Sequence, residues 1–482
     1  MSETLAALLS GGAAPALVRA EDGRTVSHDE LAGRARDVAA RLHGHGVERG
    51  DCVALVLEDG PDLLQLLLAV TSLGAAAAPL NPAYTREEFA FYLEDLAPSA
   101  LVVGESEGAA AVEAARPQVR VIRARDGAIE GPPSAGAPEA QEDDVALALH
   151  TSGTTSRPKQ VPLLHRNLTA SARSIAAFYE LGPGDASFCA MPLFHVHGLV
   201  ASAFAAFAGG GRVVVPGRVL PRRMWGQLEE HGVTWLSAGP TLHEMALERR
   251  GEARGPASLR FVRSCSSALS PALMERCEAV YGVPMLEAYG MTEASHQMTS
   301  NPLPPRDRIP GSVGVSAGSE VRIVDGHGRD VELGEVVIRG PGVMSGYLAN
   351  DEANASAFVD GWFRTGDRGR LHGGYLRLEG RIKELIIRGG ENISPGEVED
   401  ALKSHPAVVD AVAFGIASER YGEEVGAAVA LRQDAATDAL RAHCRERLAP
   451  FKVPVTIFVL PEIPRTPTGK VQRRRIAERL LA

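Results

Sequence analysis

The spacing of apolar residues along the chain predicts helices alternating with short buried strands through most of its length. Residues 28–43 carry apolar side chains at helical spacing and 52–57 form a compact apolar run, so residues 1–130 read as α/β. The apolar stretch 63–80 contains Gln65, Thr71 and Ser72 and reads as a buried helix feeding a strand, not a membrane span. Between 150 and 300 the strand-then-helix order repeats: strands at 213–215, 234–236 and 259–262, helices at 241–248 and 271–281, the last opened by Ser270 as cap and Pro271 in the first turn. From 311 to about 378, short strands separated by Gly, Asp and Asn predict a β-rich barrel or sheet. After Lys383 the pattern becomes a small α+β unit. Ser394 and Glu397 read as a capping box opening a helix to Leu402, followed by strands at 408–414 and 425–431, a helix at 438–448 and a strand at 455–460.

Composition narrows the function classes. A chain of 482 residues, 45% hydrophobic, is long enough for more than one domain. The net charge of −10 argues against nucleic acid as a partner, although Gln472, Arg473, Arg474 and Arg475 form a locally basic run that reads as the solvated start of a last helix or a phosphate contact. The five cysteines are scattered and odd in number, without metal-site spacing, which predicts a reducing, cytoplasmic setting. No signal peptide or membrane anchor is expected. Only five of the fifty basic residues are lysine, and three of them, Lys159, Lys383 and Lys470, fall in the segments that carry candidate chemistry.

The first of those segments follows the buried run 145–149: Thr151, Ser152, Gly153, Thr154, Thr155, Ser156, Arg157, Pro158 and Lys159, then Gln160. A strand emptying into small hydroxyl residues, glycine and one lysine can wrap backbone N–H groups around phosphate oxygens, although the same residues also suit a plain surface turn. Downstream come Tyr289, Gly290, Met291, Thr292 and Glu293; then Gly361 to Asp367; then Gly380, Arg381 and Lys383 to Gly389 and Gly390; and finally Pro464 to Lys470.

These five blocks, in this order, resemble the adenylate-forming superfamily of acyl-CoA synthetases, carrier-protein adenylation domains and beetle luciferases, over nearly the whole chain. The resemblance implies a large N-terminal AMP-binding domain, 1–382, of α/β subdomains with a β-rich barrel-like part. It also implies a small mobile α+β C-terminal lid domain, 383–482, hinged near Lys383. It implies ATP, Mg²⁺ and coenzyme A as cofactors and an acid–CoA ligase reaction through an acyl-adenylate. By the same resemblance Thr151, Ser152, Gly153, Thr154, Thr155 and Lys159 would hold phosphates, with Thr154 and Glu293 on Mg²⁺. Tyr289, Gly290, Thr292, Ser267 and Ala268 would flank adenine. Asp367 would take the ribose with Arg381 nearby, and Lys470 would bridge carboxylate and α-phosphate. Gly389 and Gly390 would line a pantetheine tunnel once the lid turns.

His195 and His197, Ser264 to Ser267, and His296 look most like the oxalate–CoA ligase branch, in which residues matching His195, Ser266 and His296 bind a second carboxylate. A bulkier acid of specialised metabolism is the other expectation. Gln160 stands where the family usually has glycine. It is expected either to point into solvent or to obstruct adenylation, in which case a separate adenylating enzyme would supply the adenylate. A carrier-protein-loading enzyme and a non-catalytic nucleotide-binding protein stay open at this stage.

Overall fold

The computed structural model describes residues 3–105, 107–151, 158–465 and 471–481. The described residues divide into two compact units, one from 1–151, 158–320 and 339–358, the other from 321–338 and 359–482.

The first unit is built on two sheets. A seven-stranded sheet runs in the order Ala128–Ile129, Arg120–Arg125, Ala100–Gly104, Cys52–Val56, Ala76–Pro79, Val145–His150, Gln160–Leu164. Its central strands are parallel. Every residue of Ala100–Gly104 and of Ala76–Pro79 is buried, which is why these segments read as unbroken apolar runs rather than as alternating ones. The connecting helices begin where the chain supplies caps. Ser27 and Glu30 exchange reciprocal bonds of 3.2 and 2.9 Å at the start of His28–Gly44. Ser270 accepts from the Leu273 N–H at 3.2 Å at the start of Pro271–Tyr281.

The nine-stranded sheet sets up the site. Its order includes His296–Ser300, Met285–Met291, Phe261–Ser264, Trp235–Ala238 and Ala186–Cys189 as successive neighbours. The last four are parallel, so their C-terminal ends emerge along one edge, where ligands of open α/β sheets bind. His296–Ser300 folds back antiparallel on Met285–Met291.

The second unit also holds two sheets. Glu320–Val324, Gly334–Arg339, Phe358–Val359, Trp362–His372 and Tyr375–Arg381 form a five-stranded sheet, so the β-rich stretch resolves as a sheet. A short helix, Asp351–Ala357, interrupts the sequence stretch read as strands only, capped by the Asn350 side chain. The other sheet has Val408–Ser418 and Gly422–Leu431 at its heart, with helices on both faces. Alternation sorts its side chains: Ala411 and Ala413 pack with Val398, Leu402 and Leu440, whereas Val412 and Phe414 pack with Ile476.

Two sequence readings are corrected in this unit. Ser394 does precede the helix Pro395–Lys403, but its side chain makes no capping bond. The Glu397 carboxylate that a capping box needs is engaged instead by Lys452 at 2.7 Å. The basic run 472–475 is not uniformly solvated either, because Arg473 is half-buried between Glu384 and Glu399.

Candidate active site

Three groups of predicted residues can be located; Ser152, Gly153, Thr154, Thr155, Ser156, Arg157 and Lys470 lie outside the described residues. The first group flanks the phosphate loop. Its two ends are zipped together: Thr151 N–H donates to the Lys159 carbonyl at 2.9 Å, and Lys159 N–H donates to Thr151 Oγ1 at 3.1 Å. Lys159 Nζ sits 4.4 Å from the centre of the Tyr347 ring, and the Tyr347 hydroxyl donates to Glu293 Oε1 at 3.0 Å. One tyrosine thus brings the loop lysine and the expected metal carboxylate together. Glu293 Oε2 carries no hydrogen bond among the described residues, so a hard oxygen donor is left on a buried carboxylate, which fits Mg²⁺. No group of three or more His, Cys, Asp or Glu side chains with metal-site geometry occurs among the described residues.

Gln160 does not point into solvent. It opens the strand Gln160–Leu164 opposite His150, is 8% exposed, and its carbonyl accepts from the Leu348 N–H at 3.0 Å.

The segment after Met285 explains its own glycine. A Cβ at Gly290 would meet the His296 carbonyl at 2.1 Å, where the strand pairing slips by one residue. Tyr289 and Thr292 are half-buried beside it, and Ser267 and Ala268 are exposed just past the Phe261–Ser264 strand.

The second group is the acid-side wall, and here the structure adds residues that the sequence did not flag. His197 Nδ1 lies 2.8 Å from Ser266 Oγ, and its Nε2 lies 2.7 Å from Ser237 Oγ. Its ring is 5.0 Å from that of His296. The residue that meets both Ser266 and His296 is therefore His197, whereas His195 stands half-buried next to Phe194, opening the short turn Val196–Gly198. Behind them Arg263, fully buried, donates to Tyr179 Oη at 3.0 Å, Ser237 Oγ at 2.7 Å and Gln297 Oε1 at 3.0 Å, with His296 Nδ1 at 3.4 Å. Burial first, then the Arg263 charge, holds both His197 and His296 well below the usual imidazole range, so both rings are neutral donors and acceptors. Ser266, Ser295 and His296 adopt φ of 75°, 50° and 98°, left-handed conformations that non-glycine residues rarely take and that cluster at functional sites. A charged residue directly after the apolar pair Phe261 and Val262, in a strand buried along its whole length, is the signal that would have singled out Arg263.

The third group lies in the second unit. Buried Asp367 receives the Arg381 guanidinium at 3.0 Å across paired strands. Lys383 is exposed in the single turn Ile382–Glu384. Gly389 and Gly390, with φ of 60° and 91°, form the two-residue turn between Ile386–Arg388 and Glu391–Ile393, and Gly389 N–H donates to the Tyr421 carbonyl at 2.8 Å. A turn with both φ positive favours glycine at both places, so the hairpin explains them with no ligand at all.

Comparison with known proteins now adds to this geometry. The family model described as AMP-binding enzyme matches residues 8–348, and that of its C-terminal domain matches 397–470. A probable CoA ligase of Humulus lupulus is 43% identical over 95% of this chain and 92% of its own length. An oxalate–CoA ligase of Arabidopsis thaliana is 42% identical, covering 95% and 94%. The crystal structure of ATP-bound MatB from Rhodopseudomonas palustris superposes with a TM-score of 0.91 at 30% identity over 99% of both chains. The chain belongs to the AMP-binding enzyme family.

Proposed function

We infer that this enzyme, an AMP-forming acid–CoA ligase, takes a small diacid such as oxalate as its acid. The carrying observation is the acid-side wall: Ser266, His197 and His296 are polar, buried or half-buried, and backed by the Arg263 charge. Such a wall suits a second anionic group and penalises an aliphatic chain, which would leave its polar atoms unpaired. Relatives named oxalate–CoA ligase support the same acid.

The reaction needs two displacements. A carboxylate oxygen attacks the α-phosphorus of ATP and pyrophosphate leaves; then the CoA sulfur attacks the acyl carbon and AMP leaves. Lys159 and Thr151, with the loop between them, would meet the leaving phosphates, and Glu293 with Thr154 would hold Mg²⁺. The ion supplies charge neutralisation on the phosphate oxygens. Tyr289, Gly290, Thr292, Ser267 and Ala268 would border the base and Asp367 with Arg381 the ribose. Lys470 would stabilise charge between carboxylate and α-phosphate in the first step only. We place the domain boundary at 382/383 with Lys383 as hinge, so that one lid serves both steps, Gly389 and Gly390 facing the pantetheine arm in the second. Water exclusion in each closed state would protect the adenylate from hydrolysis. The five cysteines, all free thiols, support a reducing cytoplasmic setting.

Gln160 is buried at the start of its strand, and the named ligases of the family support intact adenylation. The adenylation-defective, carrier-loading and non-catalytic readings are not favoured, and a separate adenylating partner has no support. The test is an acid panel read twice, as pyrophosphate release and as acyl-CoA formation, with oxalate, malonate and monoacids of matched size. Oxalate should rank first in both. A wild-type enzyme that refuses every small diacid removes this substrate and leaves only the ligase.

A further inference from the structure

Arg263 is a cation without an anion. It is fully buried, and no carboxylate lies within 4.0 Å of its guanidinium among the described residues. Its partners are a phenol, a serine, an amide and an imidazole, all neutral. A buried charge left so is costly unless something else supplies the opposite sign.

The hydrogen bonds leaving it have one direction. A guanidinium only donates. Its Nη1 donates to Ser237 Oγ at 2.7 Å, and Ser237 is fully buried with a single other partner, His197 Nε2 at 2.7 Å. The Ser237 hydroxyl hydrogen must therefore go to His197 Nε2, since any other arrangement buries it without an acceptor. His197 then carries its proton on Nδ1 and donates to Ser266 Oγ at 2.8 Å, which frees the Ser266 O–H to donate onward. On the other branch Nη2 faces His296 Nδ1 at 3.4 Å, which leaves the His296 proton on Nε2, an atom with no hydrogen-bond partner among the described residues.

We propose that Arg263 is a positioning residue that fixes the polarity of this wall, turning the Ser266 hydroxyl and His296 Nε2–H into outward donors for the distal anionic group of the substrate, whose charge offsets its own. The inference rests on the diacid reading for the identity of that group, while the direction of the relay stands on the protein alone. It makes selectivity a property of a residue that never touches the acid. A neutral residue at 263 would let both branches rotate and accept as readily as donate.

The test uses the full-length enzyme and two variants, Arg263→Met and Ser237→Ala, the second keeping the guanidinium and cutting one branch. Arg263→Met should raise KM for oxalate about 100-fold with kcat within about threefold, as expected for loss of ground-state anion binding, and acetate kinetics should move by less than about threefold. Ser237→Ala should raise the oxalate KM about tenfold. Equal losses on oxalate and acetate, or losses confined to kcat, overturn the proposal, and Ser237→Ala decides if Arg263→Met does not fold. Independently, ¹⁵N spectra of histidine-labelled wild type without substrate, assigned with His197→Gln, should show His197 protonated on Nδ1 and lose that preference in Ser237→Ala. A wild-type His197 protonated on Nε2 overturns the relay outright. Should no small diacid be a substrate, the diacid reading falls and the nitrogen spectra still decide the polarity.

Discussion

Arg263 is fully buried and Arg473 is largely enclosed by its partners, and the two are held in opposite ways. Arg473, at the start of the helix Arg473–Leu481, lies between Glu384, at 3.1 Å, and Glu399, and also donates to the Ala413 carbonyl at 2.6 Å. Its charge is compensated inside its own unit. Arg263, in the strand Phe261–Ser264, has neutral partners only. The difference separates two uses of one side chain. A cation enclosed by carboxylates ties elements together, here the turn at Glu384, the helix Pro395–Lys403 and the last helix. A cation enclosed by dipoles projects its field beyond them, and only a ligand can complete it.

Replacement of the compensated arginine should do the most damage to stability. Arg473→Met leaves Glu384 and Glu399 facing each other, half removed from water, without their cation. The expected cost is about 3 kcal/mol, the lower end for a broken buried pair because the site keeps some solvent contact. It should appear as a lower denaturation midpoint for the second unit in hydrogen-exchange mass spectrometry, with the oxalate-to-acetate preference unchanged. A shift in that preference would blur the division between the two arginines.

Acid should strike the other unit. His165 and His243 are pushed down to about 4 by burial, and His197 and His296 are also lowered, by burial and then by Arg263. The geometry shows why at His165: Nδ1 accepts from the Leu5 N–H at 3.0 Å while Nε2 faces the Thr71 carbonyl, so a second ring proton would confront a donor. These rings are neutral in the fold and titrate near 6.5 when unfolded. Their contribution is complete above pH 6.5 and is lost as pH falls from there toward 4. Asp59, raised to about 6 by burial, and Asp62, also raised by burial, work the other way but are fewer than the lowered histidines. None of the described histidines of the second unit is buried. The first unit should therefore lose about 2 kcal/mol between pH 7 and pH 5, and the second much less, in exchange protection measured at both pH values. Equal loss in the two units would contradict this.

How much of this was legible beforehand follows from what each kind of residue announces. The helices from 28 and 271, the buried helix within 63–80 and the strand pair around 411 and 428 were readable, because caps and apolar periods are local. The segments around Thr151, Glu293 and Asp367 stand out in the sequence as motifs, and the roles assigned to them remain proposals. Arg263, Ser237 and Tyr179 do not stand out. They sit on three different strands or helix ends, joined only when the parallel sheet sets 237 beside 263 and folds 296 back on 291. The contact of His197 with Ser266 could not be read either, since two histidines two apart are equivalent in sequence and only the turn at Val196–Gly198 distinguishes them. Ser394 looked like a cap because its spacing to Glu397 was right, but Lys452, far along the chain, took the carboxylate. Local signals were dependable; competition from distant partners was invisible.

Smaller effects sharpen the comparison. Arg263→Met removes hydrogen bonds to Tyr179, Ser237 and Gln297, yet it also removes an uncompensated charge from the interior. The two contributions oppose, and the net cost in stability should be about 1 kcal/mol, well under that of Arg473→Met. Chemical denaturation of both variants side by side measures it. If Arg263→Met costs as much as Arg473→Met, Arg263 is a structural tie and its neutral surroundings mean little.

The last test lies one residue from the compensated arginine. Arg474 follows Arg473 on the same helix and pairs with Glu478 at 2.8 Å, but both side chains are 61% exposed. The pair has the favourable one-turn spacing and even so gains little, because water and salt screen it and two long side chains must be held still. Arg474→Ala should change stability by no more than about 0.5 kcal/mol, and 0.5 M salt should erase even that. The sequence presents Arg473, Arg474 and Arg475 as one basic run, and chemistry alone cannot rank them. What ranks them is the helix, which turns one guanidinium inward onto Glu384 and Glu399 and the next outward to solvent. A cost for Arg474→Ala near that of Arg473→Met would mean that the run acts as a unit. It would also mean that enclosure by carboxylates is not what distinguishes Arg473.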